Sequence, residues 1–328
     1  MYNREENRMA DVESLYFKDK KEIKKAGNTV GILLSVCQGM TFVLGLGVSF
    51  ILMFGRYVLK TEVLNNVNVL NLINVLLVAV GMLLPTVITI FLCREKLTNI
   101  LRAERPKKGL FLGSVLLAFG ANALCNISSS IVKAVLSLFG LPVTEMPQNN
   151  GGGVENYFVS VLCIAVAPAL IEEFIFRGFV LQILSKKSTA SVAVLMSAVL
   201  FGLLHGNMVQ AVFAFGMGLV FALITIKTES IWPAVIVHFL NNFISVNLDF
   251  ISKKLSPTTQ YLAGSTYFVV SLTICILGLL ILLKNDPQYF QIKRTKKEYS
   301  TSSLIKWTLK TPGMITFVVL CAVEILFM

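Results

Sequence analysis

Nine apolar runs divide the sequence, and most of them are long enough to cross a lipid bilayer. They are Thr29–Gly55, Val67–Cys93, Leu110–Phe139, Tyr157–Leu184, Ser191–His205, Met208–Ile226, Ile231–Ile251, Tyr261–Leu283 and Pro312–Met328. In hydrocarbon no water satisfies backbone N–H and C=O groups, so a spanning segment must close its own hydrogen bonds. About 20 apolar residues in a helix cover the bilayer core. The expectation is an all-α polytopic membrane protein of about nine transmembrane helices, with helices four to seven as the core around residues 157–248. The fifth and ninth runs are the short ones.

The charges then set the orientation. Lys and Arg exceed Asp and Glu by 11 in a chain that is 55% hydrophobic, 14% charged and of mean hydropathy +0.75. In a soluble protein such an excess would suggest nucleic acid; here it reads loop by loop. With the N-terminus in the cytosol, inner segments hold 23 basic residues and outer loops hold 4 (Arg56, Lys60, Lys253 and Lys254). Residues 1–28 are then a cytosolic tail and 29–283 an eight-span domain. Residues 284–310 form a basic amphipathic linker on the inner face, and 311–328 a final membrane helix ending outside. The acidic, glycine-rich loop 145–155 is external. Tyr289, Phe290, Tyr299 and Trp307 make the linker an interfacial segment on anionic lipid rather than a nucleic-acid site. Six cysteines scattered singly through the runs suggest neither disulfides nor a thiolate metal site.

One run departs from its surroundings. Ala169-Leu-Ile-Glu-Glu-Phe-Ile-Phe-Arg-Gly178 places two carboxylates and a guanidinium at membrane depth. Each costs at least ~2.5–3.5 kcal/mol at the bilayer centre, so such residues mark function by default. Glu173 and Arg177, four apart, share a helix face and can pair. Glu172 has no partner in its own helix. Upstream, Pro168 removes the N–H that would bond the carbonyl of Ile164. The chain has two histidines, His205 and His238, both in later apolar runs. Asn242 lies one turn after His238 and presents its amide to the same side. A glutamate, two histidines and an asparagine from three helices predict a polar site inside the bundle. Glu324 and Asp249 read as interfacial or interhelical contacts.

Glu172-Glu173-x-x-x-Arg177, Phe201-x-x-x-His205 and His238-x-x-x-Asn242 resemble, in order, the three motifs of the CAAX protease and bacteriocin-processing family. These are intramembrane endopeptidases of the type that includes CAAX prenyl endopeptidases and bacterial Abi-type proteins. The resemblance covers about Tyr157 to Leu248. It implies cleavage after a prenylated cysteine or processing of a peptide such as a bacteriocin or signalling precursor. The chemistry suits the residues. Glu172 can act as general base on a water that His205 helps to hold, while His238 and Asn242 donate to the tetrahedral oxyanion. Glu173 and Arg177 then support the helix. In a competing assignment Glu172, His205 and His238 hold zinc with an open fourth position. The metal-independent route is preferred, because an amide is a poor zinc ligand and no carboxylate on its own helix orients either histidine. Two other classes stay open. One is a transporter or proton relay, although no repeated halves are visible; the other is a non-catalytic immunity or scaffold protein.

Overall fold

The computed structural model describes residues 2–58, 66–101, 104–141, 143, 154–252, 254–292 and 299–327, and every element among them is helical. Helix α1 (Tyr2–Tyr57) runs without a break through the expected tail into the first span. Then come α2 (Val67–Leu92), the short α3 (Leu97–Leu101) and α4 (Lys108–Leu138). Residues 154–187 form one broken rod. It is built of α5 (Val154–Ser160), a π-helical turn (Val161–Val166), α6 (Ala167–Glu173), a second π turn (Phe174–Val180) and α7 (Leu181–Lys187). Helices α8 (Ala190–Leu203), α9 (Met208–Thr228), α10 (Trp232–Ser252) and α11 (Pro257–Asn285) follow, and α12 (Thr301–Leu309) and α13 (Pro312–Phe327) close the chain. The expected external loop 145–155 lies almost wholly outside the described residues.

This is an integral membrane protein, and among the described residues seven helices are long and apolar enough to span, against the nine expected. An eighth span arises only if α12 and α13, bent by 78° at their junction, count as one. The fifth expected span is α8, whose 14 residues reach only about 21 Å at 1.5 Å each. Nine of the 14 are buried, so α8 is apolar on all sides because protein surrounds it. Asn207 caps α9 by accepting from the N–H groups of Val209 and Gln210 at 2.9 and 3.1 Å, which makes the α8–α9 turn tight.

Two hydrophobic clusters hold the bundle. The larger joins α1, α7, α8, α12 and α13, with Ile23, Val30, Leu184, Met196, Leu304 and Phe317 among its buried members. The smaller joins α4, α9 and α10 through Ala118, Met217, Phe221, Ala234 and Val237. Helices α4 and α11 approach backbone to backbone where Gly113 meets Gly278. A Cβ on Gly278 would lie 2.5 Å from the nitrogen of Leu117, so only glycine permits that crossing. The linker packs inward as well as outward. Tyr289 is fully buried and bonds the Ser114 hydroxyl at 2.9 Å, and Trp307 is buried beside α1 and α8. Those two aromatics therefore do not lie on lipid as the sequence reading placed them; Phe290 is half exposed.

Candidate active site

The broken rod presents the first group of site residues. Pro168 donates no hydrogen bond, and the first π turn precedes it, with Ala167 N–H reaching the carbonyl of Leu162. The second π turn begins immediately after Glu173, and there Leu181 N–H bonds Phe176 O. Single π turns inside α-helices recur at functional sites. Here they bracket the Glu172-Glu173 pair on both sides. Only the first had a sequence signal, the proline.

Glu173 and Arg177 are fully buried and pair at 3.0 Å across one turn. The guanidinium also donates to the carbonyl of Gly218 at 3.2 Å. It lies over the rings of Phe201 and Phe221, at 4.5 and 5.1 Å from their centroids. The same Glu173 oxygen accepts from His238 Nδ1 at 2.8 Å. A carboxylate therefore does orient a histidine, but from another helix, which reading one helix at a time could not reveal. Phe221 stacks on the His238 ring at 5.1 Å and 20°. Glu172 sits beside this cluster, partly exposed, with Oε2 3.9 Å from His238 Nε2.

His205 ends the α8 turn, where its Nδ1 donates to the carbonyl of Phe201 at 2.8 Å. Its Nε2 is then left as an acceptor. Phe201 joins the two histidines, lying 5.0 Å from His205 and 6.2 Å from His238, ring to ring. From the level shared by Arg177, Phe201, Phe221 and His238, the helix ends can be compared. Lys187 and Ala190 lie about 15 Å away along α7 and α8, whereas Thr228 and Trp232 lie about 10 Å away along α9 and α10. His205 and His238 nevertheless line the same cavity. Gly206 follows with φ +61, and a Cβ there would meet the Glu324 carboxyl carbon at 2.6 Å. Glu324, whose Oε2 accepts from Gln38 at 2.5 Å, is an interhelical contact and not part of the cluster.

All four candidate residues, Glu172, His205, His238 and Asn242, line one cavity of about 730 Å³. It is enclosed by α2, α4, α6, α8, α9, α10 and α11, and its walls mix aliphatic side chains with amides. Asn242 donates from Nδ2 to the carbonyl of Ile164 at 2.9 Å, the group that an N–H at position 168 would bond in an unbroken α-helix. Its Oδ1 accepts from Asn241 at 2.9 Å. Asn241 in turn accepts from Asn122, and Asn122 accepts from Tyr267 at 3.1 Å and from Asn126 at 2.9 Å. Asn122, Asn126 and Tyr267 were not singled out from the sequence. Asn122 and Asn126 carried only the signal of an amide pair at a one-turn spacing, and Tyr267 carried none.

Zinc fits this arrangement poorly. Each histidine does carry the Nδ1 hydrogen bond typical of a ligating imidazole, to Glu173 or to a carbonyl. Among the described residues, however, no three His, Cys, Asp or Glu side chains converge closely enough to hold a metal ion. Glu172, His205 and His238 line the same cavity.

Comparison with known proteins bears on this same region. Residues 154–244 match the family described as type II CAAX prenyl endopeptidase Rce1-like. The chain is also similar to the "Putative membrane peptidase YdiL" of Bacillus subtilis (strain 168), with 28% identity over 102 residues. That stretch is 31% of this chain and 40% of the relative's length. No solved structure matches the chain.

Proposed function

We propose that the chain, whose residues 154–244 match the type II CAAX prenyl endopeptidase Rce1-like family, is an intramembrane endopeptidase that hydrolyses a peptide bond held in the 730 Å³ cavity. Its substrate is a membrane-associated peptide, either lipidated at a CAAX-type cysteine or an unmodified precursor. The observation that carries the reading is the convergence of Glu172, His205, His238 and Asn242 on one cavity inside a membrane bundle.

In this reading Glu172 takes a proton from a water whose other hydrogen is held by His205 Nε2. The water oxygen bonds to the scissile carbonyl carbon, and the carbonyl π electrons move to its oxygen. Asn242 Nδ2 and His238 Nε2 donate to that oxyanion, in a site where fixed donors need no reorganisation. Collapse restores the C=O and breaks the C–N bond, and Glu172 delivers its proton to the leaving amine. Because Glu173 occupies His238 Nδ1, donation from Nε2 requires the ring to carry both protons. Glu173 and Arg177 hold that ring in place and touch no substrate.

The test is cleavage of two internally quenched peptides, one farnesylated at a CAAX-type cysteine and one unmodified, by the purified full chain in detergent. Wild type should cleave at least one. Glu172→Gln should lose cleavage by 100-fold or more at unchanged thermal stability, since it keeps the shape and removes the base. Activity should persist after chelator treatment that strips zinc. Stoichiometric zinc that leaves and returns together with activity would refute the metal-independent route. Full activity in Glu172→Gln would refute the assignment of the base.

A further inference from the structure

A run of hydrogen bonds crosses the bundle from α11 to the broken rod, and every link has the same polarity. The Tyr267 hydroxyl and Asn126 Nδ2 donate to Asn122 Oδ1, at 3.1 and 2.9 Å. Asn122 Nδ2 donates to Asn241 Oδ1, Asn241 Nδ2 to Asn242 Oδ1, and Asn242 Nδ2 to the carbonyl of Ile164. The direction follows from the last link. A carbonyl only accepts, so Asn242 must turn its NH₂ toward Ile164 and its oxygen toward Asn241. Asn241 must then donate to Asn242 and offer its own oxygen to Asn122. Asn122 must likewise donate to Asn241, which leaves its oxygen for Tyr267 and Asn126. Turning any one amide over would set two donors or two acceptors face to face. The Ile164 carbonyl thereby fixes the orientation of three amides on two other helices.

The consequence falls on Asn242. Its oxygen is turned toward Asn241 and one amide hydrogen goes to Ile164, so the donor left for the cavity is its second N–H. Hydrogen-bond chains aligned head to tail also polarise one another, which strengthens the terminal donor. Asn122 is only 8% exposed. We propose that Asn122, assisted by Tyr267 and acting through Asn241, is a positioning residue that holds the Asn242 amide in the orientation from which its free N–H donates to the substrate oxyanion. The proposal rests on the endopeptidase reading for its catalytic consequence, but the chain of hydrogen bonds can be tested without it. Asn122 and Tyr267 both lie outside the segment 154–244 that matches the family.

The experiment is a double-mutant cycle in the full-length protein, with Asn122→Leu, Asn242→Leu and the pair together, read in two ways. In cleavage of the two quenched peptides, Asn122→Leu should lower kcat about 10- to 100-fold with KM nearly unchanged, a part of the 10²–10³-fold that a lost oxyanion donor costs. In the Asn242→Leu background the same change should cost less than 2-fold more, because residues acting as a unit are not additive. Equal losses in both backgrounds, or a loss carried by KM, would overturn the proposal. Tyr267→Phe is the milder second variant. It should lower kcat about 2- to 5-fold alone and leave Asn242→Leu unaffected; independent losses count against the chain. The second reading is thermal unfolding of the same variants in detergent. The pair should lose less than the sum of the single shifts, and additive shifts overturn the hydrogen-bond chain even if neither peptide is cleaved. Failure of wild type to cleave either peptide counts against the endopeptidase reading, and the thermal cycle then decides the chain alone.

Discussion

Replacing Arg177 with alanine should destabilise the protein far more than replacing Glu172 with glutamine. Arg177 is fully buried, and its removal deletes the 3.0 Å pair with Glu173 and the 3.2 Å bond to Gly218 O. It also empties the space between the rings of Phe201 and Phe221. Glu173 stays in the interior, where its Oε2 already lacks a partner, with His238 as its one remaining cationic or donor neighbour. Removing one member of a buried ion pair costs about 3–5 kcal/mol, because the survivor is an uncompensated charge. At about 2–4 °C per kcal/mol for a large domain, the melting temperature should fall by roughly 10 °C. Glu172 is partly exposed to the cavity, lies 3.9 Å from His238 and makes no shorter ion pair. Its glutamine variant should therefore stay within about 1 kcal/mol of wild type, as replacements away from buried networks do. Scanning fluorimetry of the detergent-purified full chain measures both. Matching shifts for the two variants would show that the division into a supporting pair and a reacting carboxylate is wrong.

Two further outcomes follow from single features. Gly206→Ala places a Cβ at φ +61 and against the Glu324 carboxyl group, so it should cost about 1–3 kcal/mol in the same assay; adding Glu324→Ala should recover part of that loss, and a Gly206→Ala protein as stable as wild type would show that the turn is not constrained. The bias of 23 basic residues against 4 predicts that residue 148 faces outside, so Gln148→Cys in a cysteine-free chain should be labelled by an impermeant thiol reagent on intact cells, and labelling only after the membrane is opened would reverse the topology.

The membrane character, the helical class and the family motifs were legible because each is a local property. Apolar runs, a one-turn spacing and an ionisable pair in a hydrophobic stretch can all be read within one helix. Whether an apolar helix faces lipid or protein cannot be read that way. Thus α8, hydrophobic all round because nine of its 14 residues are buried, passed for a span. Trp307 and Tyr289 likewise passed for interfacial aromatics although both are buried in protein. In the site, the sequence by itself determined the pairing of Glu173 with Arg177 and the orphaned carbonyl of Ile164, since both follow from spacing and from proline. Only the tertiary structure decided what completes them. His238 reaches Glu173 from a helix 65 residues away, and Asn242 reaches Ile164 across 78. The physical reason is that a buried polar group must find a partner, but helix packing chooses which one. Two π turns and the glycine crossing of α4 with α11 contribute to that packing, and of the two turns only the first, at Pro168, had a signal in the sequence.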